Sequence, residues 1–193
     1  VNTTIFNTLS PVQKFGLLSG LDFLLQDPMF SMLVVDSFTH NGIEYIGYHS
    51  GFANVTWEEF ITAERYFTQN DYKVAAAVLY RQKREKPISD PRVPFTLYGS
   101  EERAAAFKYL DATLITAIAL NYSCLRKKYI SDRYKHIFKK TNADKTSKFS
   151  WINISRSVLG DVFYEEKKLL KSNVHTVLYR MNYLMSPDRK KKK

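Results

Sequence analysis

Between Thr56 and Arg81 the chain reads TWEEFITAERYFTQNDYKVAAAVLYR, and its apolar positions fall on two helical faces split by a polar break. Thr56 followed by Glu59 predicts a capping box: the threonine hydroxyl accepts from the Glu59 N–H while the Glu59 carboxylate accepts from the Thr56 N–H. Trp57, Phe60, Ile61 and Glu64 then share one face, with Phe67 a turn further on. Asn70 and Asp71 predict a stop and a fresh N-cap. Tyr72, Val74 to Val78, Leu79 and Tyr80 predict a second, apolar helix, ending in the basic residues Arg81, Lys83 and Arg84. This pair is expected to anchor the core.

The rest of the pattern is also mostly helical. Ser10-Pro11 with Gln13 predicts a helix start, with Phe15, Leu18, Leu21 and Leu25 as its stripe, and Asp27-Pro28 repeats the signal. Residues 34–52 change to β-formers around Asn41-Gly42, which predicts a hairpin near 36–48. Pro87, Pro91 and Pro94 make 84–98 an extended loop, either an arm laid on a neighbour or a crossover packed on its own domain. Ser100 is read as the cap of the next helix, with Glu101 and Glu102 at its start. A long helix is expected from Asp111 to about Lys140, keeping Ile130, Tyr134, Ile137 and Phe138 on its core face. A polar loop from Asn142 to Lys148 precedes a helix carrying Trp151 and closed by Gly160; a short helix spans Glu165 to Leu170, and Asn173 caps a last one that Pro187 stops. The expectation is a mainly α, single helical-bundle domain over 1–186, of seven to eight helices with one small β-hairpin, followed by a basic tail, 187–193.

Charge changes this picture more than composition does. Residues 1–70 carry Lys14 and Arg65 against seven acids, a net of −5. Residues 126–193 carry nineteen basic and six acidic residues, a net of +13. Two uses follow. The acidic front of one copy, with Glu58, Glu59 and Glu64, can meet the basic back of the next, with Arg84, Arg92 and Tyr98 completing the interface. Alternatively Arg126, Lys127, Lys128, Arg133, Lys135, Lys139 and Lys140, interleaved with Tyr129 and Tyr134, can hold a phosphate backbone or an acidic partner without sequence specificity. The 13 Tyr and 13 Phe are an excess that fits either a large core or contact surfaces.

The seven glycines form no phosphate loop or dinucleotide fingerprint, and no paired cysteines, H-E-x-x-H or G-x-S-x-G occur. Glu58-Glu59, Glu101-Glu102 and Glu165-Glu166 sit at helix starts, where negative charge is stabilising for structural reasons. His40, Glu44 and His49 match no metal-ligand spacing. Cys124, the only cysteine, lies in an apolar run and is expected to be a buried, inert thiol, which fits a reducing compartment. No catalytic residue, metal or cofactor is expected, nor a signal peptide or membrane span. Val1 in place of Met reads as a processed or trimmed start.

Three groups of segments resemble a known set of proteins: GYHSGFANVTWEEFITAERYF with VAAAVLYR; DPRVPF with EERAAAF and YKHIF; and SWINISRSVLGDVF with NVHTVLYRMNYL. Their order is similar to that in small helical tail or neck proteins, and in tail-assembly-chaperone-like proteins, of phages infecting Bacteroidetes. The resemblance implies a non-enzymatic virion structural protein acting through protein–protein contacts in several copies, or alternatively a tail-assembly chaperone. It implies other phage structural proteins as partners, a homo-oligomer or multi-copy ring, and a location in the virion or in the host cytoplasm during assembly. No membrane partner is expected.

Overall fold

The fold is described from a computed structural model, which describes residues 30–86, 90–138, 151 and 163–186. Two strands, β1 (Ser37–His40) and β2 (Ile43–Ile46), lead into helices α1 (Trp57–Thr68) and α2 (Tyr72–Leu79). A short strand β3 (Arg81–Gln82) is followed by α3 (Leu97–Phe107), α4 (Ala112–Arg126), a π-helical turn (Lys127–Ser131), α5 (Lys135–Phe138), α6 (Phe163–Lys171) and α7 (Val174–Met185). The chain is thus mainly α with one small antiparallel sheet.

The hairpin forms where Asn-Gly demands it. Asn41 and Gly42 have φ of 51° and 75°, the double positive φ of a primed turn, whose twist matches the strands on either side. The register pairs Ser37 with Ile46 and His40 with Ile43. Phe38 stacks on its cross-strand partner Tyr45 with ring centroids 5.5 Å apart, and Phe107 of α3 meets Tyr45 edge-on at 4.9 Å. The sheet's third strand was not foreseen. Arg81 and Gln82, expected as a helix end, pair with Ile46 and Tyr45.

The capping box is present: Thr56 N–H donates to Glu59 Oε2 at 2.9 Å and Glu59 N–H to Thr56 Oγ1 at 3.3 Å. Thr56→Ala should therefore cost about 1 kcal/mol in urea unfolding, with Thr56→Ser keeping most of it. Asn70 takes positive φ and Asp71 accepts from Val74 N–H, which separates α1 from α2 as expected. Asn173 caps α7 by accepting from His175 N–H, also as expected.

Two helix boundaries differ. Thr96, not Ser100, caps α3, because its hydroxyl accepts from Gly99 N–H; Ser100 lies buried inside the helix and donates to Leu97 O. Glu101 and Glu102 therefore sit beyond the first turn. The long helix expected from Asp111 stops at Arg126. There the Arg126 guanidinium turns back to Glu64 and to Ser131 Oγ, and the backbone widens into the π-turn with Asp132 N–H on Lys127 O before α5 begins at Lys135. Ile130, Tyr134 and Ile137 still reach the core, as their pattern predicted.

One cluster of buried side chains runs through the described residues. Trp57, Phe60, Phe52, Tyr48, Tyr80 and Tyr122 are almost wholly buried in it, so much of the aromatic excess is core. Cys124 is buried among them. The expected helix after Ser10, the start at Asp27-Pro28, the loop 142–148, the helix around Trp151 other than Trp151 itself, and the tail lie outside the described residues.

Candidate functional site

The acidic front turns inward. Glu59, at the third position of α1, is buried against two arginines. Arg81, projecting from β3, brings Nη2 within 2.8 Å of Glu59 Oε1, an ionic contact without hydrogen-bond alignment, and donates to Asp90 Oδ2 at 3.1 Å and to Val93 O at 2.7 Å. Arg92 is 0% exposed. Its Nε and Nη2 grip Asp90 at 3.0 and 2.9 Å, its Nη1 donates to Leu79 O, and its Nη2 donates to Asn54 O. Burial pushes the Asp90 carboxyl up, but the hydrogen bonds and charge of Arg92 and the charge of Arg81 outweigh it and hold the carboxyl below its ordinary value. Burial lowers the Arg81 guanidinium to about 10, which leaves it charged at neutral pH.

The second acid is engaged in the same way. Glu64 accepts from Arg126 Nε at 2.6 Å and Nη2 at 2.7 Å, a two-pronged pair, and from the buried Tyr122 hydroxyl at 2.7 Å. Arg126 also covers the Phe138 ring at 5.3 Å. The interface expected of Glu59, Glu64 and Arg92 is corrected on this point. Their charges are neutralised inside the chain, and burial leaves them no surface to present. Arg126 is only partly buried, but its charge is spent on Glu64.

The loop 84–98 is the crossover of the two readings where it is described. Arg84 N–H donates to Pro91 O and Val93 N–H to Gln82 O, which lays the segment along β3, with Arg92 as its buried latch. Glu58 and Arg84 are half-buried, and Tyr98 is exposed, with a hydrogen bond to Glu102 raising its hydroxyl pKa. Lys127, Lys128, Arg133 and Lys135 are exposed; Lys139 and Lys140 lie outside the described residues.

An open cleft of about 500 Å³ lies beside the loop 47–54, lined in part by Asp36, Tyr48, His49, Ser50 and Asn54. Its polar groups hold the loop together. Ser50 Oγ accepts from Leu33 N–H, His49 Nδ1 from Gly51 N–H, and Asn54 Oδ1 from His49 N–H, while Asn54 Nδ2 donates to Asp90. No nucleophile–base pair is formed by these contacts. His40, Glu44 and His49 are used separately: His40 meets Ala106 O, Glu44 pairs with Lys83, and His49 holds Gly51. Among the described residues no group of three metal-ligating side chains converges, and no helix is long and apolar enough to cross a membrane.

Among the described residues, exposed cations gather at the corner where α5 meets α7. His136 N–H donates to Asn182 Oδ1 at 2.9 Å, and the Tyr134 hydroxyl meets His175 Nδ1 at 2.8 Å. Tyr134 and Tyr129 are therefore not the free rings expected among the cations: Tyr134 is buried, and the Tyr129 hydroxyl donates to Ser31 O. Beside this corner, two rings on α7 are exposed instead. Tyr179 and Tyr183 are 71% and 62% exposed. They continue the flank that His175 and Asn182 present to α5, since positions four apart lie one above the other on a helix. Arg133 and Lys135 are exposed on the α5 side of this seam and Arg180 on α7; Asp132 is exposed at the near end. The pattern of α7 that hides Val174, Val177, Leu178 and Met181 already placed Tyr179 and Tyr183 outward, so spacing alone could have found them.

His175 joins this corner to the loop before α1. Its Nε2–H donates to Gly51 O at 2.5 Å while Nδ1 meets the Tyr134 hydroxyl at 2.8 Å. Burial lowers its pKa, the Gly51 carbonyl opposes that, and the Arg133 charge adds to it. The unfolded chain thus binds the proton more readily. Stability is full above the unfolded value and is lost as pH falls through the lower folded value. Urea midpoints taken between about pH 8 and pH 5 should fall, and His175→Gln should flatten the part of that slope owed to this ring.

Comparison of the chain with protein-family models, curated proteins and solved structures finds no match.

Proposed function

We infer that this is a non-enzymatic contact protein, a phage virion or assembly component of the tail or neck kind, working through the basic corner of α5 and α7 against a negatively charged partner. The observation that carries this reading is the internal neutralisation of Glu59 and Glu64 by Arg81, Arg92 and Arg126. It removes two acids that the front of a second copy could otherwise offer to the excess cations of the last third. The resemblance supports the phage setting.

Light scattering at low and high salt, with and without short duplex DNA or polyglutamate, tests it. The expected result is a complex with at least one polyanion that high salt dissolves. A salt-sensitive homo-oligomer that ignores both polyanions would restore front-to-back pairing and overturn this reading.

A further inference from the structure

We propose that the corner takes single-stranded nucleic acid, with bases stacking on Tyr179 and Tyr183 and phosphates on Arg133, Lys135 and Arg180. This deepens the reading above and rests on it. The two rings are exposed and adjacent on one helix stripe, with Cβ atoms about 6 Å apart by helix geometry, so each can take its own base. Neither α5 nor α7 contains an acidic residue, and the exposed acid beside them is Asp132 at the near end. Charge therefore favours a polyanion over the full length of the stripe.

A duplex would satisfy the cations and leave the rings idle, because its base faces are already stacked. An unpaired strand satisfies both. An acidic polypeptide would meet the charge, but has no regular series of flat faces to offer two bare rings. Tyr179, Tyr183, Lys135 and Arg180 are exposed, and Arg133 is exposed with its guanidinium over the Tyr134 ring at 5.7 Å, so variants here are expected to fold.

Anisotropy of a labelled oligothymidylate, of a duplex of equal length and of labelled polyglutamate, titrated with the full chain, is the test. The single strand should bind more tightly than the duplex. Joint Tyr179→Ala and Tyr183→Ala should weaken it roughly ten-fold or more while leaving duplex binding nearly unchanged. Tyr179→Phe with Tyr183→Phe should retain the preference, since stacking does not need the hydroxyl. Arg133→Gln, Lys135→Gln and Arg180→Gln together should weaken both and flatten the salt dependence. Equal affinity for strand and duplex, or no effect of the alanines, overturns the inference and leaves the corner as a general polyanion contact. Binding of polyglutamate alone also overturns it and points to an acidic protein. Binding of none overturns the underlying reading as well.

Discussion

Arg92→Ala is expected to destabilise the protein by about 3–5 kcal/mol, the largest effect of any charge deletion proposed for this chain. The side chain is fully buried, and it closes the crossover by joining Asp90, Leu79 O and Asn54 O, with Glu59 Oε1 3.4 Å from Nη2. Removing it leaves two carbonyls without their donor and Asp90 without its main partner, and it opens a cavity. Arg92→Met separates these effects. It fills most of the volume but restores no donor, so it should recover only the cavity part of the loss. Urea unfolding with an unchanged m-value reads the difference directly. A loss below about 1 kcal/mol would mean that water reaches the site and that Arg92 is no latch.

Glu64→Ala should cost about 2–4 kcal/mol, because it strips the acceptor from the buried Tyr122 hydroxyl and from both prongs of Arg126. Burial, with the Glu64 carboxylate adding to it, already raises the Tyr122 hydroxyl pKa well above its ordinary value, so ionisation offers that group no escape. Arg126 keeps some contact with water, which places this loss below that of Arg92. Glu64→Gln retains one acceptor and should lose about half as much. A double-mutant cycle with Tyr122→Phe should show coupling of about 1 kcal/mol or more. One consequence bears on binding: Arg126→Gln should lower stability rather than affinity, unlike changes at Arg133 or Lys135.

The legible features were those set by short-range chemistry. The Thr56–Glu59 box, the Asn41-Gly42 turn and the Asn173 cap each depend on residues within a few positions, and each was readable from spacing. The helical face with Glu64 was read correctly, yet its meaning was not. An acid four residues from Phe60 looks like a front, and only the return of α4 brings Arg126 to it, sixty-two positions later. The same holds for Glu59 and Arg92. A charge count over a sequence window assumes that charges stay at the surface, and here the long-range pairs are the ones the fold consumed. The break at Arg126 was hidden for a related reason: the apolar period continues through Ile130 and Tyr134, while the α-helical hydrogen-bond pattern gives way to the π-turn. Tyr179 and Tyr183 were within reach of the helical period, but attention to the basic run favoured Tyr129 and Tyr134, whose hydroxyls are used inside the fold.

The most direct test of the central claim is duplex and single-strand binding by a chain with Arg133, Lys135 and Arg180 changed to Gln, measured beside its unfolding midpoint. A midpoint changed little, with binding to both nucleic acids weakened, is expected, because these cations are exposed to a partner and Arg133 touches the core only through its packing on the Tyr134 ring. Unchanged affinity at an unchanged midpoint would contradict the claim, and would place the working surface elsewhere on the molecule.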